Sequence, residues 1–166
     1  MRKKRQFCHT AKAFVEAEKT KYWGNPRIPV NYYDQSKVFV NGCFDVLHIG
    51  HIRLFKYAKS FAPHLVVGID SDSRVKKLKG ESRPINTEED RKEMLLSLKC
   101  VDTVVVFDND DELEELVYQC NPETMVVGEE YKNKKVIGSE HTKELKFFKK
   151  INGYSTSKIV QNTTAG

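Results

Sequence analysis

His48 and His51 stand three residues apart at the end of the block Gly42-Cys43-Phe44-Asp45-Val46-Leu47-His48-Ile49-Gly50-His51. On a helix that spacing puts both imidazoles on one face. At a helix start they would join the exposed N–H groups and the positive end of the dipole, and Gly50 between them lets a phosphate come close. The chemistry such a site suits is phosphoryl-group transfer, in which a protein mainly holds two anions in line and stabilises charge on the phosphoryl oxygens. When a substrate phosphate attacks the α-phosphate of a nucleoside triphosphate (NTP) and expels pyrophosphate, the attacking oxygen is already ionised, so neither histidine has to act as a base. A bare H-x-x-H also fits a metal pair or ordinary surface histidines; the Gly-Cys-Phe-Asp before it makes the ten-residue block far more specific.

Two further blocks carry groups of the same kind. Lys76-Lys77-Leu78-Lys79-Gly80-Glu81-Ser82-Arg83-Pro84-Ile85-Asn86 ends just before a helical stretch bearing Arg91. Bases in a glycine-containing loop followed by an arginine near a helix start can clamp a polyphosphate, although a flexible, soluble loop has the same composition. Near the C-terminus, Gly153-Tyr154-Ser155-Thr156-Ser157-Lys158 offers hydroxyls and backbone N–H groups that either cap a helix or bind phosphate. Cys8, Cys43, Cys100 and Cys120 are far apart, with no C-x-x-C pair and no histidine at zinc-finger spacing, and read as free thiols in a reducing compartment.

Positioning these groups falls to alternating strands and helices. Lys37 to Asn41 is a short β-branched run that meets Gly42, as a buried strand ending at a loop would. The histidine block then opens a helix over about Ile49 to Ser60. His64 to Asp70 reads as a second strand, and Asp70 to Ser73 supply candidate caps for a short helix. Thr87-Glu88-Glu89-Asp90 resembles a capping box with aspartate where glutamate is usual, opening a helix to about Leu98. Thr103 to Phe107 is a third strand, Asp110 to Gln119 an amphipathic helix with acids at its positive end, and Thr124 to Val127 a fourth strand stopped by Gly128. Continuous apolar strands between helices predict a Rossmann-like, doubly wound α/β fold: a parallel sheet of about five strands covered on both faces. Ligands in such folds sit beyond the C-terminal strand ends, where the histidine block, Asp70 to Asp72 and Gly128 to Tyr131 all fall.

With 166 residues and 39% hydrophobic content the chain accommodates one domain with a real core, and not the separate tRNA-reading parts of an aminoacyl-tRNA synthetase, which also uses an H-x-G-H element. Nothing approaches a membrane helix, and the N-terminus lacks the apolar stretch of a signal peptide, so the expected location is cytoplasmic. The net charge of +5 is uneven: residues 1–36 hold eight Lys or Arg against three acids, while the other 130 residues hold twenty of each. The chain therefore divides into a basic, irregular N-terminal arm (1–36) and a balanced domain (37–166). A solvated leader is the plainer reading of the arm; nucleic-acid binding through it is the lesser one.

The block G-C-F-D-V-L-H-I-G-H resembles the G-x-F-D-x-x-H-x-G-H signature of the nucleotidyltransferase superfamily, from about Lys37 to Val160. That resemblance implies that His48 and His51 contact the NTP phosphates at the transition state. The stretch K-x-L-K-G-E-x-R-P-I-N followed by E-D-R is similar to the heptose-phosphate adenylyltransferases, which implies Lys79 and Arg91 as phosphate ligands. By the same resemblance Gly42, Cys43, Phe44, Gly50, Gly128 and Glu130 belong with the nucleotide, as do Ser155, Thr156, Tyr154 and Lys150. Asp45, Asp72 and Lys76 fall to the acceptor, although a helix cap explains Asp72 equally well. The Ser-Thr-Ser-Lys stretch echoes the synthetase K-M-S-K-S loop but lacks its leading Lys and Met.

Two substrate readings stay open. Cys43 and Tyr154 match the heptose pattern, whereas Gly128-Glu129-Glu130-Tyr131 is as similar to the M-G-D-D-W of glycerol-3-phosphate cytidylyltransferases as to the heptose enzymes' V-K-G-G-D-Y. ATP with a heptose 1-phosphate ranks first, and CTP with glycerol 3-phosphate or another polyol phosphate second. Mg²⁺ is expected through the NTP phosphates, with no protein ligand assigned to it. The resemblance also implies a homodimer. From a different class, a non-catalytic nucleotide- or RNA-binding protein that uses the arm is the rival.

Overall fold

The computed structural model describes residues 36–149. Five strands form one sheet: β1 (Lys37–Gly42), β2 (His64–Asp70), β3 (Thr103–Phe107), β4 (Thr124–Gly128) and β5 (Glu144–Phe148). Their order is β3-β2-β1-β4-β5, and every pairing is parallel. Between them run α1 (Ile49–Lys59), α2 (Asp72–Lys79), α3 (Glu88–Leu96) and α4 (Asp110–Cys120), with short 3₁₀ turns at Glu129–Tyr131 and Ser139–His141. The sheet is the Rossmann-like parallel one expected. The chain adds β2 and β3 on one side of β1 and then β4 and β5 on the other, and that switch point leaves a crevice where the loops after β1 and β4 diverge.

Side-chain alternation along each strand feeds two separate cores. Val38, Val40, Leu65, Val67 and Val104 pack with Phe55, Ala58 and Leu95 of α1 and α3 on one face. Phe39, Val66, Val105, Phe107 and Met125 pack with Leu113, Leu116 and Val117 of α4 on the other. Both faces of β1 are dry, which explains why its residues read as a continuous apolar run and not as alternation.

The helix ends follow their sequence signals. Thr87 caps α3 by accepting from the Asp90 N–H at 3.2 Å, and Asn109 caps α4 by accepting from Glu112 at 2.9 Å. The α4 C-terminus closes on Asn121 in the left-handed region, whose N–H returns to the Val117 carbonyl. At α2 the cap is Ser71, accepting from the Arg74 N–H, so capping does not account for Asp72. β5, which the sequence did not locate, is a half-exposed edge strand. No helix among the described residues is long and apolar enough to cross a membrane.

Candidate active site

The loop from β1 into α1 places the two histidines. His48 is the N-cap of α1: its backbone is extended (φ −141°, ψ 170°) and its Nδ1 accepts the Gly50 N–H at 3.1 Å. Because Nδ1 is an acceptor, the proton of the neutral ring sits on Nε2, which is then the ring's donor. His51, one turn on, stacks against His48 with ring centroids 3.8 Å apart and planes 23° from parallel. The sequence therefore builds a pair of stacked imidazoles on the first turn of a helix, beside its amide groups and positive dipole end.

Phe44 holds that pair in place. It adopts φ 47°, in the left-handed region, and its ring turns back into the core with only 6% exposure. There it meets His51 edge-on at 5.2 Å and Phe55 at 4.9 Å. A side chain on Gly42 would come within 3.1 Å of the Phe44 ring tip, so the glycine of the G-x-F element makes room for the fold-back. The Phe44 ring is thus a buried prop for His51.

The Asp45 and Arg91 side chains also turn inward. The Asp45 carboxylate is buried and accepts from Arg83 Nε at 2.8 Å, the Ile85 N–H at 2.9 Å and the Asn86 N–H at 2.8 Å, while the Asn86 side chain donates to the Asp45 carbonyl at 2.7 Å. Burial pushes this carboxyl up, but the Asn86 and Ile85 amides and the Arg83 guanidinium outweigh it and hold the group below the usual carboxylate range. Its oxygens are committed to the Arg83–Asn86 loop and not turned toward a ligand.

Arg91 is wholly buried. Nη1 donates to the carbonyls of Cys43 and Asp70, both at 2.8 Å, Nη2 to Asp72 Oδ1 at 2.7 Å, and Nε to the Asn86 carbonyl at 3.2 Å. One guanidinium fork joins the histidine loop, the end of β2, the start of α2 and the loop before α3. Its role in this geometry is to position those segments, since a phosphate could reach it only by displacing protein partners. Asp72 is spent on the same contact.

A cleft of about 300 Å³ opens beyond the ends of β1 and β4. Gly42, Cys43, Lys79, Gly128 and Tyr131 line it, joined by Arg74 and Lys135, which the sequence reading did not single out. Arg74 reaches it while bridging Asp70 at 2.7 Å and Asp110 at 2.6 Å. Cys43 is buried on its floor; burial pushes the thiol up against the lowering by Lys79 and Arg91, leaving a neutral surface at ordinary pH. The Glu130 carboxylate folds back over Gly128, where an added side chain would collide with it at 2.2 Å. Lys76 is exposed on α2 and does not line the cleft. Lys150, Tyr154, Ser155 and Thr156 lie outside the described residues.

Arg83 and Asn86 are functional supports that the sequence quoted without assigning. Their partner Asp45 is some forty residues away, so no local pattern announces the pairing.

Known proteins include relatives of this chain. Residues 39–162 match the family model described as cytidylyltransferase-like. The chain is 48% identical over 124 residues to the bifunctional protein HldE of Sulfurimonas denitrificans, covering 75% of this chain and 26% of that protein. It is 49% identical over 129 residues to HldE of Helicobacter pylori, with 77% and 28% covered. It thus spans about a quarter of the length of these curated relatives. Among solved structures, a lipopolysaccharide core biosynthesis protein from Thermoplasma volcanium aligns with TM-score 0.55 and 26% identity over 73% of this chain and 99% of that one. With a family model covering most of the described fold and the histidine block in the place that fold reserves for ligands, the chain belongs to the cytidylyltransferase-like family.

Proposed function

We propose that this chain is a nucleotidyltransferase that moves an adenylyl group from ATP to the phosphate of a sugar 1-phosphate of heptose type, releasing pyrophosphate. The observation that carries the reading is the stacked His48–His51 pair on the first turn of α1, at the end of a loop whose first residues, Gly42 and Cys43, line a cleft that also holds Arg74, Lys79 and Lys135. Support for the substrate comes from the blocks similar to heptose-phosphate adenylyltransferases, from HldE relatives at 46–49% identity, and from a structural neighbour titled a lipopolysaccharide core biosynthesis protein. The CTP-dependent polyol-phosphate reading is not favoured beside these relatives.

In the proposed reaction an oxygen of the sugar phosphate attacks the α-phosphorus of ATP. The bond from that phosphorus to the bridging oxygen breaks, and its electron pair leaves with pyrophosphate. No proton has to be removed from the nucleophile. His48 donates through Nε2, held in that tautomer by its own cap, and His51 is kept beside it by Phe44. Fixed donors at a helix start stabilise charge where it grows, without reorganising during the step. Lys79, with Lys135 and Arg74 in the same cleft, supplies the positive potential an anionic acceptor needs. Ser155, Thr156, Tyr154 and Lys150 complete the proposal at the triphosphate.

Mg²⁺ fits this site as part of the MgATP substrate. Among the described residues the carboxylates at these strand ends are already engaged, Asp45 by Arg83 and amides, Asp70 by Arg74, and Asp72 by Arg91. Phosphate oxygens and water would therefore hold the ion, which supplies charge neutralisation on the polyphosphate. The rival binding-protein reading depends on residues 1–36, of which only Ser36 is among the described residues.

The test incubates the protein with ATP or CTP and a panel of sugar 1-phosphates and polyol phosphates, following pyrophosphate. Release with ATP and a heptose 1-phosphate is expected. Release with CTP and glycerol 3-phosphate alone would overturn the substrate, and no release with any pair would overturn the reaction.

A further inference from the structure

On the far side of α4 from the sheet, a second concavity of about 120 Å³ is lined by Asp111, Glu114, Glu115, Tyr118 and His141. The acids come from the acidic helix, and His141 comes from the 3₁₀ turn Ser139–His141 that packs across it. We propose that Glu114, Glu140 and His141 form a binding site for a divalent transition-metal ion of the zinc class, separate from the nucleotidyl-transfer site.

The donor set and its spacing carry the inference. One ligand atom from each of Glu114, Glu140 and His141 lies within 4.8 Å of the other two, and His141 Nε2 is 3.6 Å from Glu114 Oε1. Zinc–ligand bonds of about 2.0–2.2 Å put neighbouring donors roughly 3–4 Å apart, so the cluster needs only small side-chain adjustments to close on an ion. An imidazole nitrogen with two carboxylate oxygens is the mixed set that zinc accepts and that magnesium or calcium does not select. Three protein ligands leave the remaining position to water.

Charge and backbone favour the same occupant. Among the described residues no lysine or arginine pairs with Asp111, Glu114, Glu115 or Glu140, whereas Asp110 at the head of the same helix is taken by Arg74. The turn is also held close: Gly138 sits at φ 80° with its Cα against the Val117 side chain, the His141 N–H returns to the Gly138 carbonyl at 3.0 Å, and the His141 ring meets Tyr118 edge-on at 5.2 Å. Glu140 and His141 are therefore delivered beside Glu114 by the fold and not by chance side-chain reach. An ion here would staple the segment from Val136 to His141 onto α4, and Val136 and Ile137 of that segment line the cleft described above.

The full chain, stripped with chelator, is titrated with Zn²⁺ alone by calorimetry, and its thermal melt is followed with and without the ion. Wild type is expected to bind one equivalent with micromolar affinity and to melt several degrees higher with zinc. His141→Ala and Glu114→Gln are each expected to lose at least tenfold in affinity together with the gain in melting temperature, while Glu123→Gln, which alters a carboxylate paired with Lys143, retains both. Absence of saturable one-equivalent binding to wild type, or a loss smaller than tenfold in either site variant, overturns the proposal. Neither outcome bears on nucleotidyl transfer, which is read separately from pyrophosphate.

Discussion

Replacing Arg91 by lysine keeps the positive charge and removes the planar fork. In the structure that fork makes four hydrogen bonds, to the carbonyls of Asn86, Cys43 and Asp70 and to Asp72, from a side chain with no solvent exposure. A lysine ammonium can satisfy at most some of them and leaves buried acceptors and the Asp72 carboxylate without partners. Each buried acceptor left without a donor costs about 1–3 kcal/mol, so losing two or three of these bonds removes a large part of the ~5–15 kcal/mol that holds a domain of this size together. For a chain of 166 residues that corresponds to a melting temperature lowered by roughly 10 °C or more. The assay is a thermal melt followed by circular dichroism, paired with KM for the nucleotide in the pyrophosphate assay. A melting temperature within a degree or two of wild type, with a large rise in KM, would show that Arg91 contacts phosphate and would refute the positioning role.

Other changes separate support from chemistry. His51→Ala should lower turnover about a hundred- to a thousand-fold, the usual cost of losing a transition-state donor, while its melting temperature shifts little; an unchanged rate would remove His51 from the reaction. Asp45 has a folded pKa below its ordinary value, so its contribution to stability is complete above about pH 4 and is lost as pH falls through the lowered value. The melting temperature of wild type should therefore drop below about pH 4, more steeply than that of Asp45→Asn, and parallel acid profiles would deny Asp45 this role. Gly138→Ala forces a side chain into the left-handed region and within 2.8 Å of Val117, and should cost about 1–3 kcal/mol in a denaturant titration. No measurable loss would mean that the segment does not pack on α4 as described.

The sequence made the frame of this molecule legible because its signals are local. β1 is an apolar run ended by glycine, α1 begins on the second half of the histidine block, and Thr87 caps α3 within a single turn. β5 escaped because Glu144-Leu145-Lys146-Phe147-Phe148 is an edge strand with charged residues, and its pairing with β4 has no local trace. The site was legible in composition and less so in role. Asp45, Phe44 and Arg91 look like ligands when read along the chain, yet each turns inward on partners set by the fold: Arg83 and Asn86 for Asp45, the His51 and Phe55 rings for Phe44, and the ends of β1 and β2 for Arg91. Long-range hydrogen bonds decide between contacting a ligand and holding the residues that do, and spacing along the sequence carries no record of them. The cleft residues Arg74 and Lys135 were passed over for the same reason: neither belongs to a local pattern.

The proposed reaction joins the α-phosphate of ATP to a sugar phosphate at the His48–His51 site. ATP labelled at the α-phosphorus, incubated with Mg²⁺ and a heptose 1-phosphate, tests it directly by following where the label goes. The label is expected in a nucleotide sugar, with pyrophosphate formed in equal amount, and is expected to be almost completely lost from that product in His51→Ala. Label that stays in ATP, or that appears only as free AMP, would contradict it.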